Sequence, residues 1–279
     1  MDRKSILYVG AGSLALQVAE RLPQWPGWAL RRSRVELPGN LQPLVADVTR
    51  PECPADWPVE CPDYVVVTLV PAARSEEAYR SAYLQGTQNL LRWLQEHGQQ
   101  PGRILFVSSV GVYGQSAGEV VDEQSPTRPE RWSGRVMLEA EQLLFASGLP
   151  VTSVRLAGIY GGHRRSFLER VRQGYHADGQ TNRYTNRIHE RDAAALLAHL
   201  LTIDARGKPL EPVYIGVDDM PVEQAEVVGW LQRQLGAESV AQRLLKPAGS
   251  SKRCSNALAR STGWAPAYAD YRDGYADMV

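Results

Sequence analysis

The turn Gly10-Ala11-Gly12-Ser13-Leu14-Ala15 constrains this chain more than any other stretch. It follows the apolar run Ser5 to Val9, which reads as a buried strand, and opens the run Ser13 to Arg21, which reads as a helix. A strand passing into a helix through G-x-G-x-x-A has the form of a dinucleotide-binding βα unit. Each small residue has a mechanical reason. Gly10 allows the tight turn, Gly12 lets the backbone approach a pyrophosphate, and Ala15 permits close packing of helix on strand. The amides of Ser13 and Leu14 would then meet the phosphates at the positive end of the helix. A strand–helix turn without a ligand is the other reading of the same residues.

Trp28 to Ser33 reads as a second strand that ends in Arg31 and Arg32. Near this distance from the glycine turn, NAD enzymes carry an acid for the ribose 2′-hydroxyl. An arginine fork instead suits a 2′-phosphate, which favours NADP over NAD. A solvated basic pair at a strand end is the alternative.

Further strands are expected at Leu41 to Ala46, Asp63 to Val70, Arg103 to Ser109, Val151 to Leu156 and Pro212 to Gly216. Helices are expected from Ser75 (an N-cap) to His97, from Arg131 to Ser147, from Ala193 to Ile203 under an Asp192 cap, and from Val222 to Leu235. Pro51 to Pro62 reads as an irregular loop. This βα alternation without hairpin signals predicts a Rossmann-type, doubly wound parallel α/β sheet over 1–157. Residues 158–279 are expected to form a small C-terminal substrate lobe, with the helix 193–203 returning to the first domain.

The charge balance opposes nucleic acid and membrane surfaces as partners, since 31 basic residues meet 31 acidic ones. No apolar run reaches the roughly 18 residues of a membrane span. With Cys53, Cys61 and Cys254 read as reduced thiols and no signal peptide expected, the reading is cytoplasmic. Cys53 and Cys61 lack nearby histidines, so no metal site is expected.

Four segments in order resemble the extended short-chain dehydrogenases/reductases, in their NAD(P)-dependent epimerase/dehydratase branch. Phe106 to Gly114, with its Ser-Ser-Val-Gly-Val-Tyr-Gly, is similar to the strand-five motif and puts Ser109 at the catalytic serine. Arg155 to Gly161 resembles the strand-six signature, and Asn186 to Asp192 the later segment beside the substrate. Asp47, with Val48, falls where the family has an aspartate beside the adenine. The resemblance implies an oxidoreductase or epimerase-like activity. Two departures stand out. The glycine turn is not the family's usual G-x-x-G-x-x-G, and the Tyr-x-x-x-Lys pair is missing, with Ser133 and Met137 in its place. An unassisted serine is a poor proton source near neutrality.

Ser109 either orients a substrate oxygen or satisfies a loop carbonyl. Tyr113 is a candidate replacement acid or a packed ring, and Ser133 a site residue or an N-cap. Arg183, Arg187 and His189 are the candidate substrate residues, for an anionic molecule such as a nucleotide-diphosphate sugar. A solvated basic face and a core histidine are their structural alternatives. A non-catalytic NADP(H)-binding redox sensor or regulatory protein is the second functional reading, and the sequence admits a homodimer.

Overall fold

The computed structural model describes residues 3–162, 164–176, 183–237, 243–244 and 251–279; Asp178, in the arginine-rich stretch, lies outside them. Strands β1 (Ile6–Val9) and β4 (Tyr64–Val67) are buried at every residue, as strands covered on both faces must be. Between them in sequence lie β2 (Gly27–Arg31) and β3 (Leu41–Val45), and after them β5 (Arg103–Ser109). One seven-stranded parallel sheet runs in the order Val213–Gly216, Val151–Leu156, β5, β4, β1, β2, β3. Ile6 of β1 is in register with Gly27 on one side and Tyr64 on the other. The chain therefore travels outward from β1 to β3, then crosses back to lay β4 on the far side of β1. That reversal opens a crevice at the carboxyl ends of β1 and β4, where doubly wound sheets bind ligands. Pro43 sits in β3, the edge strand, where its missing N–H breaks no ladder.

Helix α1 (Ser13–Arg21) buries Leu14, Ala15, Val18 and Ala19, a single stripe that lies on the sheet. The strands expected at Arg103 to Ser109 and Val151 to Leu156 form with those bounds. Ser75 caps its helix, its hydroxyl accepting from the Ala78 amide at 3.2 Å.

Three expectations need correction. The helix over 75–97 is not continuous: Glu76–Tyr79 and Gly86–Glu96 flank a π turn, Arg80–Gln85. That wider turn lies along the crevice, where Ala78, Ser81 and Ala82 form one wall. The helix expected to start after Asp192 runs Glu190–Ala205. Asp192 lies in its first turn and accepts instead from the amides of Ala267 and Tyr268, at 2.9 and 3.0 Å. Finally, Val222–Glu223 pairs antiparallel with Tyr184–Thr185, and the helix begins at Gln224.

The chain forms two compact units. The first comprises Met1–Val112, Arg131–Arg155 and Ala194–Tyr214. Within it the Pro-rich loop is irregular but anchored: Trp57 is buried and its indole donates to Gln99 Oε1 at 2.9 Å. The pair Arg155–Glu141 is also buried there, at 2.6 Å. The second unit comprises Tyr113–Glu130, Leu156–Ala193 and Ile215–Val279, with a core that includes Leu168, Val171, Val227, Leu231 and Tyr275. Among the described residues no helix is long and apolar enough to cross a membrane, and no group of three or more His, Cys, Asp or Glu could hold a metal ion.

Candidate functional site

The glycine turn is fastened to the ends of its neighbouring strands. The amides of Gly10 and Ala11 both donate to Leu30 O at 3.0 Å, and the Thr68 hydroxyl donates to Gly10 O at 2.9 Å. Gly10 has φ +79°, and a Cβ on it would come within 3.0 Å of Leu69 Cα, so no other residue fits without strain. Gly12 is the opposite case: a Cβ there would meet only Gly10 O, at 3.8 Å. The space over Gly12 is open, and a side chain would fill it. Gly12 is also the N-cap of α1, brings no side chain to its first turn, and no acid stands in that turn. The amides of Ser13 and Leu14 thus belong to an uncompensated positive helix end.

This turn borders a cleft of about 360 Å³, lined among others by Gly10, Gly12, Arg31, Arg32, Asp47 and Val48. Six of the eight residues expected to hold a cofactor are therefore brought to one cavity; Ser13 and Leu14 are outside its lining. Arg31 closes β2 and donates from Nη1 to Ala11 O at 3.2 Å, while its buried Nε has no partner. A buried donor left without an acceptor is costly, and Arg31 is among the residues that line the cleft. Arg32 is exposed at the rim. Asp47 accepts from the Thr49 amide at 3.0 Å and the Thr49 hydroxyl at 2.7 Å. Burial alone would raise its pKa, but those bonds and the charges of Arg32 and Arg50 hold the carboxyl below its ordinary range. An open backbone cradle, a guanidinium at the cleft and a fixed carboxylate fit a dinucleotide cofactor.

Ser109 ends β5, and its Oγ accepts from the Gly111 amide at 3.0 Å. The helix Trp132–Phe145 packs against β5 and the turn Val110–Val112. Ser133 is not the N-cap of that helix, which is Arg131; it sits inside the first turn. Met137, one turn on, where the resemblance expects a lysine, is 4% exposed.

In the second unit, Tyr113 is buried, and its carbonyl accepts from the buried Lys252 Nζ at 2.9 Å. Arg183 donates to Gln224 Oε1 at 3.0 Å and is half-buried. Arg187 is 8% exposed, donates to Thr185 Oγ1 at 2.8 Å and lies over the Phe167 ring. His189 packs on Tyr268 with ring centroids 3.9 Å apart, and its Nδ1 accepts from the Arg191 amide at 3.2 Å. Its Nε2 faces Gly161 so closely that a Cβ there would come within 2.5 Å. Burial, aided by Arg191, pushes its pKa down to about 4, so the ring is neutral near pH 7. Other arginines of this stretch are engaged locally: Arg164 with Glu190, Arg165 with Met278 O, and Arg172 with Glu169.

Sequence reasoning missed two buried charged groups of this unit, Lys252 and Asp218. Burial pushes the Asp218 carboxyl up to about 7, against the Met220 amide and Arg187, which lower it. Neither residue lies in a motif or a periodic stretch, so no local signal marks them.

The profile of the NAD-dependent epimerase/dehydratase family matches residues 13–216. A comparison with curated proteins finds no match. Among solved structures, a Methylobacillus flagellatus protein ascribed to the NAD-dependent epimerases/dehydratases is 33% identical, covering 98% of this chain and 97% of its own, with a TM-score of 0.78. The UDP-glucose 4-epimerase of Thermus thermophilus, solved with NAD, is 19% identical over 97% of this chain and 96% of its own, at TM-score 0.76. RMD of Pseudomonas aeruginosa, solved with NADPH, is 22% identical over 94% of each chain, at TM-score 0.70. A nucleotide cradle at the switch point of the sheet, a serine-ended β5 and these likenesses agree: the chain belongs to the NAD-dependent epimerase/dehydratase family.

Proposed function

We propose that this protein is an NADP(H)-dependent oxidoreductase acting on a hydroxyl or carbonyl of a small anionic substrate of the nucleotide-sugar kind, without the Tyr/Lys pair. The observation that carries the cofactor choice is Arg31, a cation at the end of β2 that lines the cleft and whose buried Nε has no partner. Gly10, Gly12, Ser13 and Leu14 would hold the diphosphate, Arg31 and Arg32 the 2′-phosphate, and Asp47 and Val48 the adenine. When bound, the dinucleotide supplies or accepts hydride. The UDP-glucose 4-epimerase likeness supports a nucleotide-sugar substrate, for which the segment 158–279 would be the lobe, with Arg183, Arg187 and His189 its candidate contacts.

Within the chain, Ser109 accepts from Gly111, which leaves its own proton to donate to a substrate oxygen. Ser133, with Met137 rather than a lysine one turn away, lacks the cation of the family pair and does not carry the proton. Tyr113 is a further hydroxyl of the motif. Met137 also favours a second reading, a non-catalytic NADP(H) sensor that kept the cleft and lost the chemistry.

Single-turnover oxidation of NADPH against a panel of nucleotide sugars and their keto forms tests both. We expect Ser133→Ala to cost under about tenfold and Ser109→Ala about 10²-fold or more. A large loss from Ser133→Ala beside none from Ser109→Ala reverses the roles. Tight NADPH binding with no hydride transfer across the panel favours the sensor.

A further inference from the structure

Asn89 sits in the middle of the helix Gly86–Glu96, 1% exposed, and is not among the residues that line the cleft. Asparagine is a poor residue for a helix interior, and a buried amide is costly unless its hydrogen bonds are made. Here they are. Both amide hydrogens donate at 2.8 Å, one to Val48 O and one to Arg50 O, and Gln85 Nε2 donates to its Oδ1 at 3.2 Å. The next turn of the helix continues the grip. Trp93 Nε1 donates to Pro51 O at 3.1 Å, and Arg92 Nη2 donates to the same oxygen. Positions 89, 92 and 93 share one helix face by their spacing of three and four, and together they hold three carbonyls of the segment Val48–Pro51. Below Val48 the helix has Gly86, where a Cβ would come within 3.2 Å of Val48 Cγ1. The segment so held contains Val48 and Thr49, which with Asp47 form a wall of the cleft. Thr49 is in turn the residue whose amide and hydroxyl fix the Asp47 carboxylate.

We propose that Asn89 is the positioning residue of the adenine-binding wall: its two hydrogen bonds to the carbonyls of Val48 and Arg50 fix the loop that aims Asp47 at the base, and so set the preference for adenine. This rests on the cofactor reading above. The Asp47 carboxylate is an acceptor, which a 6-amino group satisfies and a 6-oxo group does not. A wall held rigidly rejects the 6-oxo base; a wall released from Asn89 retreats and no longer discriminates. Arg31 at the end of β2 and Arg32 just past it would hold the 2′-phosphate, and the Asn89 amide donates to neither.

The experiment measures the affinities of wild type, Asn89→Ala and Asn89→Ser for NADPH, for its hypoxanthine analogue and for NADH, by fluorescence titration on protein shown to be folded by thermal melting. The expected result is a wild-type preference for NADPH over the hypoxanthine analogue of tenfold or more. In Asn89→Ala that preference falls below threefold and NADPH weakens at least tenfold, while the NADPH-to-NADH ratio stays within twofold of wild type. Asn89→Ser, which keeps one donor, is expected between the two and serves where Asn89→Ala does not fold. Failure of the cofactor reading shows in the wild type alone, as no binding of either dinucleotide. The proposal is overturned by a wild type that binds without discriminating the base, by a folded variant that keeps the base preference, by a collapse of the NADPH-to-NADH ratio alongside it, or by neither variant folding.

Discussion

Glu141→Ala is the substitution whose cost follows most directly from the structure. The Glu141 carboxylate accepts from Arg155 Nε at 3.0 Å, from Arg155 Nη2 at 2.6 Å and from the Ser153 hydroxyl at 2.9 Å. The two charged side chains are 1% and 6% exposed. Removing the carboxylate leaves a guanidinium in the interior, and breaking such a pair on one side costs about 3–5 kcal/mol. The whole domain has only about 5–15 kcal/mol to lose. At about 2–4 °C per kcal/mol for a chain of this class, the melting temperature should fall by roughly 10 °C. The double change Glu141→Leu with Arg155→Met removes both charges and should cost much less than Glu141→Ala, because no buried guanidinium is left without its carboxylate. Urea denaturation of the three proteins gives the numbers. A loss under about 1 kcal/mol for Glu141→Ala, or a double variant as damaged as the single one, refutes the argument. Folded Glu141→Ala at low temperature should still bind NADPH, since Arg155 ties the helix Trp132–Phe145 to its strand and does not line the cleft.

Two further outcomes follow. The folded chain keeps a proton on Asp218, whose pKa is raised to about 7, where the unfolded chain releases it near 3.8; this contribution to stability is complete below about pH 4 and is lost as pH rises through about 7. Asp218→Asn should therefore equal wild type at about pH 4 and exceed it at about pH 8 in urea denaturation, and parallel pH profiles would count against the buried acid. Gly12→Val should fold normally and lose NADPH binding, because its side chain enters the open space over the turn; calorimetry that finds unchanged affinity would make the turn purely structural.

Much of the first unit was legible because its signals are local. The step from apolar strand through small residues to helix is written in consecutive positions, and so are the arginines that end β2. The strands at Arg103–Ser109 and Val151–Leu156 are bounded by a glycine and by prolines that no regular element crosses. What escaped depends on partners far away in sequence. Asp192 looks like a helix cap until Ala267 and Tyr268 arrive to take its oxygens. The π turn at Arg80–Gln85 has no composition of its own, since nothing in Arg-Ser-Ala-Tyr-Leu-Gln forbids an ordinary helix. The arginines around residues 164–191 look like a free basic face, yet Arg165 and Arg172 are hydrogen-bonded and Arg164 is ion-paired to neighbours within their own unit. Asn89 and Lys252 read as ordinary polar residues, because burial is not visible in the identity of one side chain.

The central claim is a phosphorylated cofactor held by Arg31, and calorimetric titration of the wild type with NADPH and with NADH tests it most directly. The account predicts tighter NADPH binding, by roughly 1.5–3 kcal/mol for each charged hydrogen bond to the 2′-phosphate, or about ten- to a hundredfold per bond. Arg31→Ala with Arg32→Ala should erase that difference and leave NADH binding in place. Equal affinities for the two cofactors in the wild type would contradict the account.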